Sequence, residues 1–65
     1  MTVDEMLKAP GFYAVSAPGS PYHTVVEVEP DGTVHQLTPD GTRDGVLARD
    51  GWAPGIVIRK TGRPS

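Results

Sequence analysis

The chain contains no cysteine, which excludes disulfide bonds and every metal site built from thiolates. Such cross-links are common in natural domains of this size, because a chain of 65 residues buries only about 60% of the surface that it exposes when unfolded. Stability must therefore come from an efficiently packed core or from binding to a partner. The lack of cysteine also fits a reducing compartment.

The chain also lacks a long apolar segment. No stretch approaches the roughly 18 apolar residues that a membrane helix requires. Near the amino terminus, Asp4 and Glu5 stand where a secretory signal would carry positive charge. We therefore expect one small domain over residues 1–65, a cytoplasmic location and no membrane partner, with a frayed tail over residues 61–65.

Charge is distributed unevenly along the chain, although the formal net charge is only −2. All eight acidic residues lie between positions 4 and 50, where three basic residues leave a charge of −5 (three minus eight). The remaining three basic residues lie between positions 59 and 63 and contribute +3. A body with excess negative charge repels nucleic acid and favours basic partners.

The amino-terminal pattern predicts a short helix followed by a strand. Thr2 can cap the helix, because Glu5 three residues later completes a capping box. Pro10 ends it, and one to two turns are not stable alone, so Met6 must dock onto a sheet. The aromatic and β-branched residues of segment 11–16 predict the first strand.

The clearest pattern is a β-hairpin. Segments 24–29 and 33–38 both alternate, and Pro30-Asp31-Gly32 lies between them. The turn is either a two-residue loop or a type I turn with a glycine bulge. These differ by one residue in register, which leaves the face of His35 and Leu37 open. The same turn chemistry returns at residues 39–41.

The second half of the chain is less regular. Segment 46–49 fits a helical turn or a short strand, and its flanking glycines favour a helix or 3₁₀ turn. The continuous apolar run within 55–60 favours a last strand at the centre of the sheet. The predicted fold is α+β and β-dominated: a three- to four-stranded antiparallel sheet with one or two short helical turns. The expected core residues are Leu7, Phe12, Val15, Val26, Val28, Leu37, Leu47, Trp52, Ile56 and Ile58.

The residue types that carry catalysis are sparse or out of context. No serine lies in a Gly-x-Ser-x-Gly elbow, and no phosphate-binding glycine loop is present. His23 and His35 are expected on paired strands, but two histidines without a third ligand make no catalytic zinc site. We predict no catalytic residues, metal, cofactor or small-molecule substrate.

Two groups of residues are candidates for binding a protein partner. Six carboxylates lie on the predicted hairpin and in the turns beyond it, and we name this set the acidic rim: Glu27, Glu29, Asp31, Asp40, Asp44 and Asp50. Carboxylates on a rigid sheet can occupy positions that phosphates would hold in a basic groove. The second candidate is Tyr22, an aromatic residue in a loop and a residue type that is enriched at interface hot spots.

The segment Pro10-Gly11-Phe12-Tyr13-Ala14-Val15, followed by Thr24-Val25-Val26-Glu27-Val28 and Gly55-Ile56-Val57-Ile58, resembles small proteins of bacterial phages and mobile elements. Those proteins often open with a Pro-Gly-Phe-Tyr strand and continue as a short β-meander. The resemblance implies inhibition of the type I anti-CRISPR kind, in which a small protein binds a Cascade subunit in the host bacterial cytoplasm. Some acidic inhibitors of that kind act as DNA mimics that block target-DNA recognition.

Two other functions fit the sequence. A small nucleic-acid-binding β-domain would use the basic residues Arg59, Lys60 and Arg63. A phage structural or accessory subunit would pair its sheet edges between copies. We expect a monomer that binds a larger host protein complex, with a dimer as the alternative and direct nucleic-acid binding disfavoured.

Overall fold

The computed structural model describes residues 1–63. It contains helix α1 (Val3–Leu7) and strands β1 (Gly11–Ser16), β2 (Thr24–Val28), β3 (Val34–Leu37), β4 (Arg43–Leu47) and β5 (Val57–Thr61). The five strands form one antiparallel sheet in the order β4-β3-β2-β1-β5. The predicted α+β, β-dominated class is confirmed, and the sheet has one strand more than the expected three to four.

Helix α1 begins with the predicted capping box. The Glu5 amide donates a hydrogen bond to the Thr2 hydroxyl at 3.1 Å, and the Thr2 amide donates to the Glu5 carboxylate at 2.9 Å. These bonds satisfy two amides that a helix start otherwise leaves unpaired. Met6 is fully buried, so the helix is fixed to the sheet by its apolar side.

Both Pro-Asp-Gly segments form three-residue hairpin loops. In the first, the Gly32 amide donates to the Glu29 carbonyl at 2.8 Å, and Gly32 adopts φ +89°. The second repeats this geometry, with a 2.9 Å bond from Gly41 to Thr38. Each is a type I turn followed by a glycine bulge, which was one of the two alternatives left open. Glu27 consequently lies opposite His35.

The sheet has two faces of different character. The core face carries a buried cluster that α1 covers: Met6, Tyr13, Val15, Val26, Val28, Val34 and Ile58. The other face, which we call the outer face, carries Phe12, Ala14, Val25, Glu27 and His35, because side chains alternate along paired strands.

The predicted core is partly wrong. Phe12 is only half-buried and lies on the outer face, whereas Tyr13 beside it is fully buried. Four expected core residues are only partly buried against the cluster: Leu7, Leu47, Trp52 and Ile56. Leu37 is buried but lies outside the cluster. Met6 is buried, as its expected docking onto the sheet requires, and the expected core did not include the buried residues Tyr13, Ala14 and Val34.

The predicted helical turn at 46–49 is wrong, because residues 43–47 pair with β3. His35 lies opposite Val46 and Leu37 opposite Arg43, so β4 holds one extra residue between these pairs (three steps against two). Gly45, at φ +121°, lies within that irregular stretch. Hydrogen bonds to a neighbouring strand outweigh the weak local preference of this segment.

The predicted central position of the last strand is also wrong. Strand β5 pairs only with β1 and forms one edge of the sheet. Its apolar residues point to both faces of the sheet: Ile58 is buried on the core face, whereas Val57 is 48% exposed on the outer face. Within the predicted frayed tail 61–65, Thr61 belongs to β5. Residues 64 and 65 lie outside the described residues.

Candidate functional site

The candidate site is built on the outer face by three adjacent strands. Glu27 lies on β2, directly between Phe12 of β1 and His35 of β3. Glu29 follows two residues later, where β2 enters the first hairpin loop. The alternation of β2 therefore brings both glutamates to the same face, as the sequence predicts.

Arg43, from β4, bridges these two carboxylates. Its Nε lies 3.2 Å from Glu27 Oε1, and its Nη2 lies 2.7 Å from Glu29 Oε1. The hydrogen bond that Arg43 donates to Glu27, together with the charges of both glutamates, raises the pKa of Arg43. Half of the Arg43 side chain is exposed, at 52%, and exposed ion pairs add little stability. The main effect of the bridge is to bring the carboxylates of Glu27 and Glu29 together around one guanidinium.

His35 completes this group from β3. Its Nε2 lies 3.3 Å from Glu29 Oε2, and its side chain is 14% exposed. The distance allows an ion pair when the imidazole is protonated, but the alignment gives no hydrogen bond and leaves Nε2 without a partner. We refer to Glu27, Glu29, His35 and Arg43 as the Arg43 cluster.

The turn aspartates Asp31 and Asp40 are partly engaged in their own loops. Asp31 Oδ1 accepts a hydrogen bond from the Thr33 amide at 2.9 Å. Asp40 Oδ1 accepts bonds from the Thr38 hydroxyl, from the Thr42 amide at 3.1 Å and from the Thr42 hydroxyl at 2.8 Å. The Thr33 hydrogen bonds lower the pKa of Asp31, and those from Thr38 and Thr42 lower the pKa of Asp40. Both carboxylates are therefore ionised near neutral pH.

The acidic rim is divided between several places. Asp31 lies close enough to His35 for their charges to interact, and Asp40 lines an open hollow of about 520 Å³ with Glu27 and Arg43. Of the six predicted carboxylates, Glu27 and Glu29 therefore belong to the Arg43 cluster, and Asp31 and Asp40 lie beside it. Asp44 lies exposed on β4, and Asp50 borders a separate hollow beside Trp52.

Tyr22 lies apart from the acidic rim. It is 82% exposed in the loop between β1 and β2. It borders a hollow of about 340 Å³ together with Val15, Ala53 and Ile56, and none of the rim carboxylates lines that hollow. Tyr22 and the Arg43 cluster are therefore two separate surfaces.

Within residues 1–63, no group of three or more histidine, aspartate or glutamate side chains is placed to hold a metal ion. Helix α1, with five residues, is far too short to cross a membrane, and residues 1–63 contain no helix that is long and apolar enough to do so. His23 precedes β2 as an exposed loop residue, so the expectation that both histidines lie on paired strands is wrong.

Sequence reasoning missed Arg43 as a member of the site. The residue lies 16 positions from Glu27 and 14 from Glu29. Only the pairing of β4 with β3 brings these charges together, and segment 43–47 has no alternation that would predict a strand. The sequence offered one indication of its role: Arg43 is a basic residue that closely follows the predicted hairpin on which Glu27 and Glu29 lie.

No protein family model, curated protein or solved structure matches the chain. Its function must therefore be inferred from the geometry and charge of its own surface. The feature that stands out is an outer face on which one arginine contacts two carboxylates, with two ionised turn aspartates beside them.

Proposed function

We propose that this chain is a non-catalytic inhibitor that binds a cationic surface of a larger host protein complex through the Arg43 cluster and its neighbouring aspartates. Glu27, Glu29, Asp31 and Asp40 bring four negative charges to this region, and Arg43 and Arg63, which line the same hollow as Glu27 and Asp40, bring two positive charges. Four minus two leaves two negative charges among these six side chains. A partner with a basic surface is therefore complementary to it.

The observation that carries this proposal is the bridge from Arg43 to Glu27 and Glu29, at 3.2 and 2.7 Å. Glutamate side chains are flexible, and ordering each of them on binding costs about 0.5–1.5 kcal/mol. Here the bridge and the sheet hold both carboxylates before a partner arrives, so much of that cost is already met. Such preorganised charges favour fast and specific association with a cationic partner.

The resemblance to small phage proteins gives the proposal its specific form, which is inhibition of the type I anti-CRISPR kind. The partner is then a Cascade subunit, and the blocked surface is one that recognises target DNA. A surface that binds DNA carries lysine and arginine side chains for the phosphates. Glu27, Glu29 and the turn aspartates would form ion pairs with those lysine and arginine side chains. Arg43 would add a contact that DNA does not make.

The protonation states support a binding role over a catalytic one. A general acid at neutral pH needs a carboxyl whose pKa is raised towards 7. Hydrogen bonds from the turn threonines instead lower the pKa of Asp31 and of Asp40.

The decisive experiment replaces both glutamates, Glu27→Gln with Glu29→Gln. Glutamine keeps an oxygen that can accept from Arg43, so the fold should survive while two charges are lost. Binding to purified Cascade complexes is measured by calorimetry, and inhibition of their DNA binding by gel shift. We expect affinity to fall about tenfold or more, equivalent to about 1.4 kcal/mol.

The matched control is Asp44→Asn with Asp50→Asn, which removes the same charge outside the Arg43 cluster. We expect its affinity to change by less than about threefold, because exposed charges remote from a contact act mainly through association rate. Full binding by the double glutamine variant would refute the proposed surface. Failure of the unmodified chain to bind any type I complex would refute the proposed partner.

A further inference from the structure

The two edges of the sheet differ in regularity. Strand β4 carries an extra residue relative to β3 and includes Gly45 at φ +121°, which disrupts its edge. Strand β5 instead pairs with β1 through five consecutive residues, from Val57 opposite Ser16 to Thr61 opposite Phe12, without a shift. A continuous edge of this kind exposes backbone donors and acceptors that can accept another strand.

We propose that the outer edge of β5 binds an extended acidic segment of another protein as an added strand. Main-chain hydrogen bonds would supply affinity, and the side chains of β5 would supply specificity. This edge is distinct from the Arg43 cluster, which lies on β2, β3 and β4, because β1 stands between β5 and β2, although Arg63 beyond β5 lines the hollow beside Glu27. The proposal therefore does not depend on the proposed inhibitor function.

The charges of β5 define the sequence that it would bind. Arg59 lies opposite Ala14 and points to the outer face, whereas Lys60 lies opposite Tyr13 and points to the core face. Both are exposed, and within residues 1–63 neither forms an ion pair, although the Lys60 ammonium lies 4.9 Å from the centroid of the Tyr13 ring. Consecutive side chains of an added strand also point to opposite faces of the sheet. One residue of that strand would therefore lie beside Arg59 and the next beside Lys60. Two adjacent acidic residues fit this arrangement.

The other half of β5 is apolar and extends the same recognition pattern. Val57, on the outer face, is 48% exposed, and Ile58, on the core face, is 7% exposed. Residues of the added strand beside this pair would be apolar. The preferred ligand is therefore an extended segment in which two adjacent acids follow or precede two apolar residues.

Charge argues against a second copy of this chain as the occupant. An antiparallel pair of β5 strands centred on Arg59 would place Arg59 opposite its own symmetry mate. Like charges directly opposite each other destabilise a strand pair. The irregular β4 edge of a second copy is a poor match for the regular β5 edge. An acidic strand from a different protein meets neither obstacle.

The test uses a fluorescent six-residue peptide with two central adjacent glutamates and two valines on each side. We expect anisotropy to report binding by the full chain, and amide shifts in NMR spectra to map to residues 57–61. A peptide of the same composition with the glutamates two positions apart should bind at least about fivefold more weakly. N-methylation of alternate backbone nitrogens along one edge of the peptide should abolish binding, because it removes the hydrogen bonds of an added strand.

The protein variant is Arg59→Glu with Lys60→Glu, and we expect it to weaken peptide binding by at least about tenfold. Arg49→Glu is a charge-reversal control, because Arg49 packs against Gly32 in the first hairpin loop, away from β5. A far-ultraviolet spectrum checks that each variant is folded. Unchanged binding by the double variant, or shifts that map to residues 43–47, would overturn the proposal. Binding of a labelled single-stranded DNA but not of the peptide would also overturn it.

Discussion

Tyr13 connects the helix and the sheet through a single side chain. Its ring is fully buried in the core, and its hydroxyl donates to the Ala9 carbonyl, 2.5 Å away, just beyond α1. The ammonium group of Lys60 lies 4.9 Å from the ring centroid on the β5 side. One residue therefore joins α1, β1 and β5.

The predicted consequence is a measurable loss of stability on removal of one oxygen. Tyr13→Phe keeps the ring but loses the hydrogen bond to Ala9, which should lower the free energy of unfolding by about 0.5–1.5 kcal/mol. Tyr22→Phe is the matched control, because Tyr22 is 82% exposed and should change stability by less than about 0.5 kcal/mol. Urea denaturation of both variants provides the measurement. Equal midpoints for the two would contradict the assigned role of the hydroxyl.

Tyr13 also illustrates what the sequence could not reveal. Strand alternation separates Tyr13 from Phe12 but does not say which of them faces the core. A phenolic hydroxyl needs a partner when buried, which makes phenylalanine the simpler core residue. The partner is a backbone carbonyl in the segment that joins α1 to β1. That contact exists only once the helix has docked, so local pattern does not predict it.

At the scale of elements, the two Pro-Asp-Gly loops set the register of the meander. Each places a glycine at positive φ, +89° at Gly32 and +88° at Gly41. Other residues pay about 1–2 kcal/mol for a left-handed conformation. The glycines thereby decide that Glu27 lies opposite His35 and that the Arg43 cluster can form.

We predict that Gly32→Ala lowers the free energy of unfolding by about 1–2 kcal/mol because of this backbone conformation. A methyl group there would also meet the Arg49 guanidinium at 3.1 Å, but that side chain can move aside. Gly62→Ala is the control, since open space surrounds that position, and it should change stability by less than about 0.5 kcal/mol. Thermal unfolding followed by circular dichroism will test both. No difference between the two variants would contradict the turn assignment.

Elements defined by local chemistry were predictable, and those defined by distant partners were not. The capped helix, β1 and the first hairpin follow from caps, alternation and turn residues within a few positions of one another. Strand β4 exists because of its pairing with β3, and the edge position of β5 follows from its pairing with β1. The same distinction applies to the candidate site. Strand alternation predicts that Glu27 and Glu29 share a face, but it does not predict that Arg43 lies beside them.

At the scale of the whole molecule, carboxylates accept backbone hydrogen bonds at the start of the helix and in both hairpin loops. Hydrogen bonds from Thr2 lower the pKa of Glu5 below its ordinary 4.5, and the turn threonines lower the pKa of Asp31 and Asp40 below 3.8. A carboxyl whose pKa is lower in the folded state stabilises the fold only while ionised. Its contribution is complete above the ordinary pKa and is lost as pH falls through the lower folded value.

We therefore predict that the protein loses stability in acid, beginning near pH 4.5 and continuing below 3.8. The variant with Asp31→Asn and Asp40→Asn should be less stable than the unmodified chain at pH 7. It should also lose less on acidification, so that the two melting temperatures converge towards pH 2. Melting curves at pH 7, 4, 3 and 2 will show this. A constant difference across that range would contradict a role for these two carboxylates.

Pairing of β5 with β1 has a consequence for biosynthesis. Strand β1 leaves the ribosome early, yet its second neighbour, residues 57–61, is made more than 40 positions later. At about 5–20 residues per second, one flank of β1 stays unpaired for roughly two to eight seconds. Until residues 57–61 pair with β1, the edge of β1 that carries Tyr13 and Val15 has no second strand partner. Slow codons between β4 and β5 would lengthen that interval.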